Sequence, residues 1–336
     1  MTTLSGSTRR MLLLAFILGC LVLIRPSPNA LAQETPQYTV EEYGAFQGIT
    51  GESDPAKKME LILHFFKTYP KSTLKQYIVS DFQGMLKTLQ DAKRWTQVIT
   101  VGRQFLTVVA DDAYTVALVA AGYSETKNYQ QFVVFGEESY KTHPTGNLAY
   151  NMAKAYKSLG NTAKFLEWAD RTVQKLPDNY EMFFELARYY GDAERYAEAD
   201  KYSKQCLKAV QAATKPAQTS EKDWATYTRQ IQMACYYIIG SGAYKRQDYA
   251  NAISNLENSL KFNPRNDTAC YFLGMSYWQT QQRIDRALVN FAKASLLGGA
   301  IAATAKQQLE NLYKQTHRGS LVGLEKVIAV AKAELK

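Results

Sequence analysis

The sequence is poor in the residues that interrupt or cross-link a chain. Its 336 residues include only 9 prolines, 19 glycines and 4 cysteines, and no two cysteines have CxxC spacing. So few prolines and glycines argue against a fibrous or broadly disordered chain. Hydrophobic residues make up 46% and charged residues 21% of the sequence, which is ordinary for a folded protein.

Catalytic signatures are also missing. The sequence contains no GxSxG, no Walker-type phosphate loop and no HExxH. Its three histidines, His64, His143 and His317, are far apart, and the carboxylate pair Glu137–Glu138 has no acid–base partner in the pattern. We therefore predict no catalytic, metal-binding or cofactor-binding residues, no cofactor, and no enzymatic activity.

The charge distribution does not favour a nucleic-acid partner. The formal net charge is +9. Residues 1–32 contain three arginines and no acidic residue, and without them 37 basic and 31 acidic residues leave +6. No dense cluster of lysine and arginine stands out, so we predict a solvated surface that binds no nucleic acid.

An uncharged and almost entirely apolar segment lies near the N-terminus. Residues 11–24 (MLLLAFILGCLVLI) follow Arg9 and Arg10, and Ala30 and Ala32 have the small-x-small spacing of a cleavage site. This segment is shorter than the about 20 apolar residues that a membrane-spanning helix needs. We predict a signal peptide, residues 1–32, and export to the periplasm. The alternative is an uncleaved segment that anchors the chain to the inner membrane.

Three cysteines follow this segment: Cys206, Cys235 and Cys270. Each falls on a predicted helix that looks at least partly buried, which favours small packed thiols. An odd number of cysteines cannot all pair within one chain. A Cys206–Cys235 disulfide remains an open alternative.

A helical pattern recurs with a period near 34 residues. Clear copies begin at Ala113, Gly146, Tyr180, Met233 and Asp267, and weaker copies begin near Thr39 and Val79. Each copy has two apolar faces at helical spacing, with small residues such as Gly240 on the first and Ala252 on the second. Small residues let neighbouring helices approach closely, and a proline such as Pro264 ends the second helix. The pattern predicts stacked helix pairs in an all-α protein.

Two stretches of this pattern resemble the tetratricopeptide repeat (TPR). They are YYIIGSGAYKRQDYANAISNLENSLKFNP, residues 236–264, and CYFLGMSYWQTQQRIDRALVNFAKA, residues 270–294. Both follow the family pattern of an aromatic residue, a Leu-Gly-like pair and a tyrosine, and then alanine, an aromatic residue and alanine. The resemblance covers about residues 39–297. It implies an exported bacterial TPR protein, an α-solenoid of helix-turn-helix repeats that forms a right-handed superhelix.

The repeat pattern divides the chain into segments. We predict N-terminal TPR-like repeats over residues 33–211, an insertion with an extended helix start over 212–232, two well-matched repeats over 233–299, and capping helices over 300–336. The insertion adds about 19 residues to one period. Ser220 lies three residues before Asp223, which predicts that the next helix begins near Glu221.

The resemblance also implies which residues contact a partner, because the first helix of each TPR unit lines a concave groove. The candidate groove residues are Tyr150, Asn151, Lys154, Phe184, Arg188, Tyr237, Tyr244, Tyr271 and Trp278. Aromatic anchors with a few cations are typical of protein-binding hot spots. The alternative is that some of these rings pack between helices. A carboxylate clamp of the chaperone-binding type is not expected, because Ala117 and Ala121 occupy positions where it needs lysine and asparagine.

The sequence thus favours a non-enzymatic protein–protein interaction scaffold of the bacterial cell envelope. We predict that it binds a peptide segment or a partner helix in a concave groove. One alternative is a structural subunit of an envelope or secretion assembly that uses the convex face and the ends. Another is an enzyme or a carbohydrate-binding protein. The identity of the protein or peptide partner stays open.

Overall fold

The computed structural model describes residues 37–336, so the predicted signal peptide lies outside the described residues. Within this range the chain forms sixteen α-helices and no β-strand. The helices are α1 (Val40–Gly51), α2 (Pro55–Thr68), α3 (Lys75–Asp91), α4 (Trp95–Phe105), α5 (Ala113–Glu125), α6 (Tyr129–Thr142), α7 (Gly146–Ser158), α8 (Thr162–Lys175), α9 (Tyr180–Asp192), α10 (Tyr196–Ala212), α11 (Glu221–Lys245), α12 (Tyr249–Phe262), α13 (Asp267–Thr280), α14 (Ile284–Leu297), α15 (Ala302–Thr316) and α16 (Leu324–Glu334).

Most of these helices begin at a side chain that caps the free backbone N–H groups. The capping residues are Thr39, Asp54, Asp112, Asn128, Thr145, Asn161, Asn179, Ser220, Asp248 and Asn266. Each side-chain oxygen accepts a hydrogen bond from an N–H in the first turn, which stabilises the helix start. Ser220 caps α11, and this helix begins at Glu221 as its sequence predicts.

The turns inside the helix pairs repeat one backbone conformation. A residue with φ between 53° and 71° follows the first helix of six pairs: Lys93, Lys127, Gly160, Glu194, Gln247 and Gln281. A residue in this left-handed region commonly ends an α-helix. Their numbers differ by 34, 33, 34, 53 and 34. The backbone therefore carries the predicted period near 34 residues, and the 53-residue interval is longer by the 19 residues that the insertion adds to one period.

The main contacts of each helix are with near neighbours in the chain. The main contacts join consecutive helices, such as α7 with α8, or helices two apart in the chain order, such as α9 with α11 and α11 with α13. The buried core accordingly runs along the stack, with clusters around Phe82, Trp168 and Phe291. A stack of this kind, in which each unit contacts only its neighbours, is an all-α solenoid.

Small residues lie where the helices of one pair approach most closely. A Cβ atom added to Gly240 on α11 would lie 2.7 Å from Leu256 Cγ on α12. A Cβ atom added to Gly274 on α13 would lie 2.9 Å from Phe291 Cδ1 on α14. Ala252 on α12 is fully buried in the same core cluster. The recurring small residues of the sequence pattern therefore permit the contact within each pair.

Enlarging one of these residues is expected to weaken the fold. We expect Ala252→Leu to lower the free energy of unfolding by about 1–3 kcal/mol, because extra methylene groups in a filled core force neighbours apart. The control is Ala250→Leu on the exposed side of the same helix, which is expected to change it by less than about 0.5 kcal/mol. Denaturant unfolding measures both values. Equal stability of the two variants would contradict the packing described here.

The last two helices depart from the repeat pattern. Helices α15 and α16 lie within residues 300–336, where the sequence predicts capping helices. The Glu334 carboxylate of α16 pairs with Lys293 and, at 2.9 Å, with Arg286 on α14. The spacing of Leu321, Leu324 and Ile328 predicts that Leu321 lies on the apolar face of the last helix, and this prediction is wrong. Gly323, with φ of 94°, precedes the first residue of α16, so Leu321 lies before the helix and is exposed.

Candidate functional site

A groove with a volume of about 440 Å³ crosses the first helices of three consecutive units. Its apolar lining is formed by Phe184 on α9, Tyr237 and Ile238 on α11, and Phe272 on α13. All four side chains are half-buried, so each ring or branch keeps part of its surface free for another molecule. We call this surface, together with the charged residues around it, the central groove.

Charged side chains of both signs lie around the central groove. Arg188 and Asp192 come from α9, Glu194 from the turn that follows, and Lys245 from the end of α11. All four are exposed. Over residues 37–336 none of them takes part in an ion pair. These two cations and two carboxylates are therefore available to form ion pairs with a bound segment.

The cations of this surface lie beside aromatic rings. The Arg188 guanidinium is 5.8 Å from the centroid of the Phe184 ring, and Lys245 Nζ is 5.9 Å from that of Phe272. On α7, Lys154 Nζ is 5.1 Å from the Tyr150 ring. A cation within about 6 Å of a ring is attracted to its face. Each cation–ring contact therefore places a positive charge next to an apolar surface.

The central groove brings together three of the nine predicted residues: Phe184, Arg188 and Tyr237. Tyr244 lies at the margin of the groove and packs against Phe272; the centroids of the two rings are 5.2 Å apart. Burial, and then the charge of Asp267, raises the pKa of the Tyr237 phenol. The Tyr237 hydroxyl therefore remains a neutral hydrogen-bonding group at physiological pH.

Three other predicted residues lie toward the N-terminal end of the stack. Tyr150 and Asn151 line a separate cavity of about 400 Å³ between α5 and α7, and Lys154 is exposed beside Tyr150. Ala117 on α5 lines the same cavity. The assignment of these three residues to a binding surface stays a prediction.

The last two predicted residues lie against the core. The ring centroids of Tyr271 and Trp278 are 5.8 Å and 6.2 Å from that of Phe291, which is fully buried. Both side chains are half-buried, and neither lines the central groove. Their contacts favour the packing alternative at these positions, and a binding role for them stays a prediction.

A shared carboxylate links the first helices of three units. Glu181 on α9 accepts hydrogen bonds from the Tyr150 hydroxyl of α7 and, at 3.3 Å, from the Tyr227 hydroxyl of α11. Burial, and then the interaction with Glu181, raises the pKa of both phenols. The link fixes α7, α9 and α11 relative to one another beside the central groove.

The raised pKa of Tyr150 predicts a pH dependence. Tyrosine ionises near pH 10 in an unfolded chain, whereas Tyr150 in the folded protein holds its proton to a higher pH. The contribution of Tyr150 to the free energy of unfolding is therefore fully present below pH 10, and it is lost as the pH rises from 10 toward the pKa of the folded state. In folded protein we expect the tyrosinate absorbance gained between pH 9 and 11 to be the same for wild type and Tyr150→Phe, because this phenol stays protonated. A gain smaller by one tyrosine in the variant would contradict the raised pKa of Tyr150.

Sequence reasoning missed several residues of this surface. In a TPR unit, positions 2, 5, 6, 9 and 12 of the first helix point into the groove. Asp192 and Lys245 occupy position 13, counted from Tyr180 and Met233, and so lie one residue beyond this pattern. Ile238 and Phe272 occupy position 6 of their units and fit the pattern, although they are not among the nine predicted residues. Tyr227 lies in the insertion, where the repeat pattern gives no information about direction.

Two further features of the described chain bear on its chemistry. Over residues 37–336, no group of three or more His, Cys, Asp or Glu side chains is arranged to hold a metal ion. In the same range, none of the helices combines the length and the apolar character needed to cross a membrane.

The helix pairs and the period of their turns define a TPR-type fold. No protein-family model and no curated protein matches the chain. Solved structures do match it. MamA of AMB-1 is 19% identical with a TM-score of 0.43, over 55% of this chain and 92% of that one. The C-terminal part of a TPR repeat-containing protein from Cytophaga hutchinsonii is 13% identical with a TM-score of 0.45, over 75% and 93%.

A third match is YrrB, described as a TPR protein with an unusual peptide-binding site. It is 13% identical, with a TM-score of 0.31, over 74% of this chain and 99% of that one. Because all three TM-scores are below 0.5, the TPR-type class rests on the helix pairs and turn spacing of this chain.

Proposed function

We propose that this protein is a non-enzymatic interaction scaffold that binds a peptide segment or a partner helix in the central groove. The observation that carries the proposal is that Phe184, Arg188 and Tyr237, from two units, line one open surface. The repeat pattern of the sequence predicts that these three residues contact a partner. The half-buried rings supply apolar contact area, and the unpaired charges supply directional contacts.

Binding would draw its free energy from the apolar lining. Each Å² of apolar surface removed from water contributes roughly 25 cal/mol, and the rings of Phe184, Tyr237 and Phe272 offer such surface together. Packed helices hold these rings in place before a partner arrives, which lowers the ordering cost of association. Charges of both signs would select a partner whose apolar side chains are flanked by complementary charges.

The size of the central groove limits what it holds. Neighbouring packed helices lie roughly 8–10 Å apart, so a surface that crosses from α9 to α13 spans roughly 18 Å. An extended chain of about five or six residues covers this distance at about 3.3 Å per residue. A helix of about twelve residues covers it at 1.5 Å per residue. The proposed partner element is therefore short.

We place this function in the bacterial cell envelope, because residues 1–32 have the composition and the cleavage pattern of a signal peptide. In this proposal residues 33–299 form the repeat array, interrupted by the insertion at 212–232. Helices α15 and α16 cap its C-terminal end. Protein or peptide partners would then be other components of the envelope.

Export predicts a defined N-terminus for the mature protein. We expect the chain purified from the cell envelope to begin at Gln33, because cleavage follows Ala32 in the small-x-small pattern. Intact-mass spectrometry measures this directly. A full-length chain retained in the membrane fraction would contradict cleavage and support the N-terminal anchor.

Selection from a random peptide library tests the proposed function. Peptides that bind the wild-type protein are expected to combine apolar side chains with flanking charges. Their binding should be lost in Gly191→Leu, because Gly191 lies in the central groove, where an added Cβ atom meets only Ile238 Cγ2 at 3.6 Å. The leucine would thus fill the groove without displacing the helices.

The matched control is Ala250→Leu, which adds the same side chain to an exposed position of α12. It is expected to leave peptide binding unchanged. Peptides that bind Gly191→Leu as tightly as wild type, with both proteins folded by circular dichroism, would remove the central groove from the function.

A further inference from the structure

Two of the three cysteines in residues 37–336 lie in one core cluster, at the point where the repeat is interrupted. Cys206 on α10 and Cys235 on α11 are fully buried and belong to one apolar cluster with Leu207 and Ile231. Helices α10 and α11 pack against each other, and both cysteines are free thiols in the structure. The neighbouring Cys206 thiol, followed by burial, raises the pKa of the Cys235 thiol. The third cysteine, Cys270, is buried in a different cluster on α13.

The surroundings of this pair connect it to the central groove. The Cys206 thiol also donates a hydrogen bond to the Tyr180 carbonyl, 3.3 Å away, at the start of α9. The two cysteines therefore lie where α9, α10 and α11 join. Helix α11 carries Tyr237 and Ile238 of the central groove, so a bond between α10 and α11 would fix the middle one of the three groove helices.

We infer that Cys206 and Cys235 form a disulfide bond that joins α10 to α11. The two thiols lose two protons and two electrons, and one S–S bond forms. A disulfide of a small thiol compound or of a thiol-oxidising protein accepts the electrons and protons and becomes two thiols. Cys270 stays a thiol, because its cluster contains no second cysteine.

The bond forms while the chain folds. Both thiols are inaccessible once the helices have packed, and the raised pKa of Cys235 keeps the reactive thiolate scarce in the folded protein. Folding of α10 against α11 brings the two sulfur atoms together and selects this pair over either pairing with Cys270. The bond closes a loop of about 30 residues, a length at which a disulfide restricts the unfolded chain substantially.

The test is to refold the full-length chain with oxidised and reduced glutathione, or with reduced glutathione alone, and to map its thiols. After trypsin digestion without reduction, we expect peptide 205–208 linked to peptide 230–245, with Cys270 alkylated. Cys270→Ala should give the same linked pair, and Cys206→Ala should give none. The oxidised wild type is expected to unfold at a Tm higher by roughly 5–10 °C than the reduced one, a difference absent in Cys206→Ala.

Alkylation of both Cys206 and Cys235 in denatured samples of the oxidised preparation would overturn the inference. A linked peptide that contains Cys270 would overturn it as well. Peptide mapping of the wild type alone decides between these results, so the inference can fail even if a variant does not fold. It is independent of whether the central groove binds a peptide.

Discussion

Replacing Phe291 by alanine is expected to lower the free energy of unfolding by about 3–5 kcal/mol, the usual range for a buried aromatic ring. Phe291 is fully buried and lies against Tyr271, Trp278 and the bare backbone of Gly274. Removal of the ring would leave a cavity between α13 and α14, because these neighbours already pack against other residues of the same cluster. Denaturant unfolding followed by circular dichroism measures the loss.

Val134→Ala is the control for this prediction. Val134 lies on α6 with 68% of its surface exposed, so its truncation is expected to change stability by less than about 0.5 kcal/mol. If Phe291→Ala were as stable as this control, the contacts of Tyr271 and Trp278 with Phe291 would not stabilise the fold. The packing role favoured for these two residues would then be wrong.

Replacing Tyr237 by alanine is expected to weaken binding of a selected peptide about thirtyfold, or by about 2 kcal/mol. Tyr237 lies near the middle of the central groove, between α9 and Phe272 of α13, where a bound segment would exclude water from its ring. Isothermal titration calorimetry of folded protein measures the dissociation constant. Arg188→Ala should also weaken binding, with little loss of stability, because Arg188 is exposed and forms no ion pair among the described residues.

Trp278→Ala provides the contrasting result. Trp278 packs on Phe291 outside the central groove, so its truncation should lower stability and leave the affinity of the folded protein unchanged. Equal losses of affinity in Tyr237→Ala and Trp278→Ala would mean that the binding surface extends over α13 as the sequence predicted. Unchanged affinity in Tyr237→Ala would exclude the central groove.

The fold could be predicted from sequence because its determinants are local and repeated. Gly240, Gly274 and Ala252 had to be small for helices to approach, and a polar cap such as Ser220 marked where a helix starts. These signals act over a few residues and recur every 34, so several weak copies reinforced one another. The left-handed turn residues follow the same period, although Gln247 and Gln281 carry no composition signal for that conformation.

The candidate site could be predicted only in part, because it depends on contacts between distant segments. The repeat frame assigned Tyr237 and Tyr271 to the same face. It could not show that Phe291 of the next helix packs against Tyr271 and leaves Tyr237 on an open surface. The hydrogen bond between Tyr227 and Glu181 joins residues 46 apart in the chain, and the insertion that places Tyr227 has no counterpart in other units.

Site-specific photo-cross-linking in the cells that make the protein tests the proposed groove most directly. A photoreactive amino acid at Ser241, within the central groove, is compared with one at Ala250, exposed on α12. We expect a discrete protein adduct from position 241 that disappears in the Gly191→Leu background, and no adduct from position 250. An adduct from position 250 alone would contradict groove binding and place the partner on the layer of second helices.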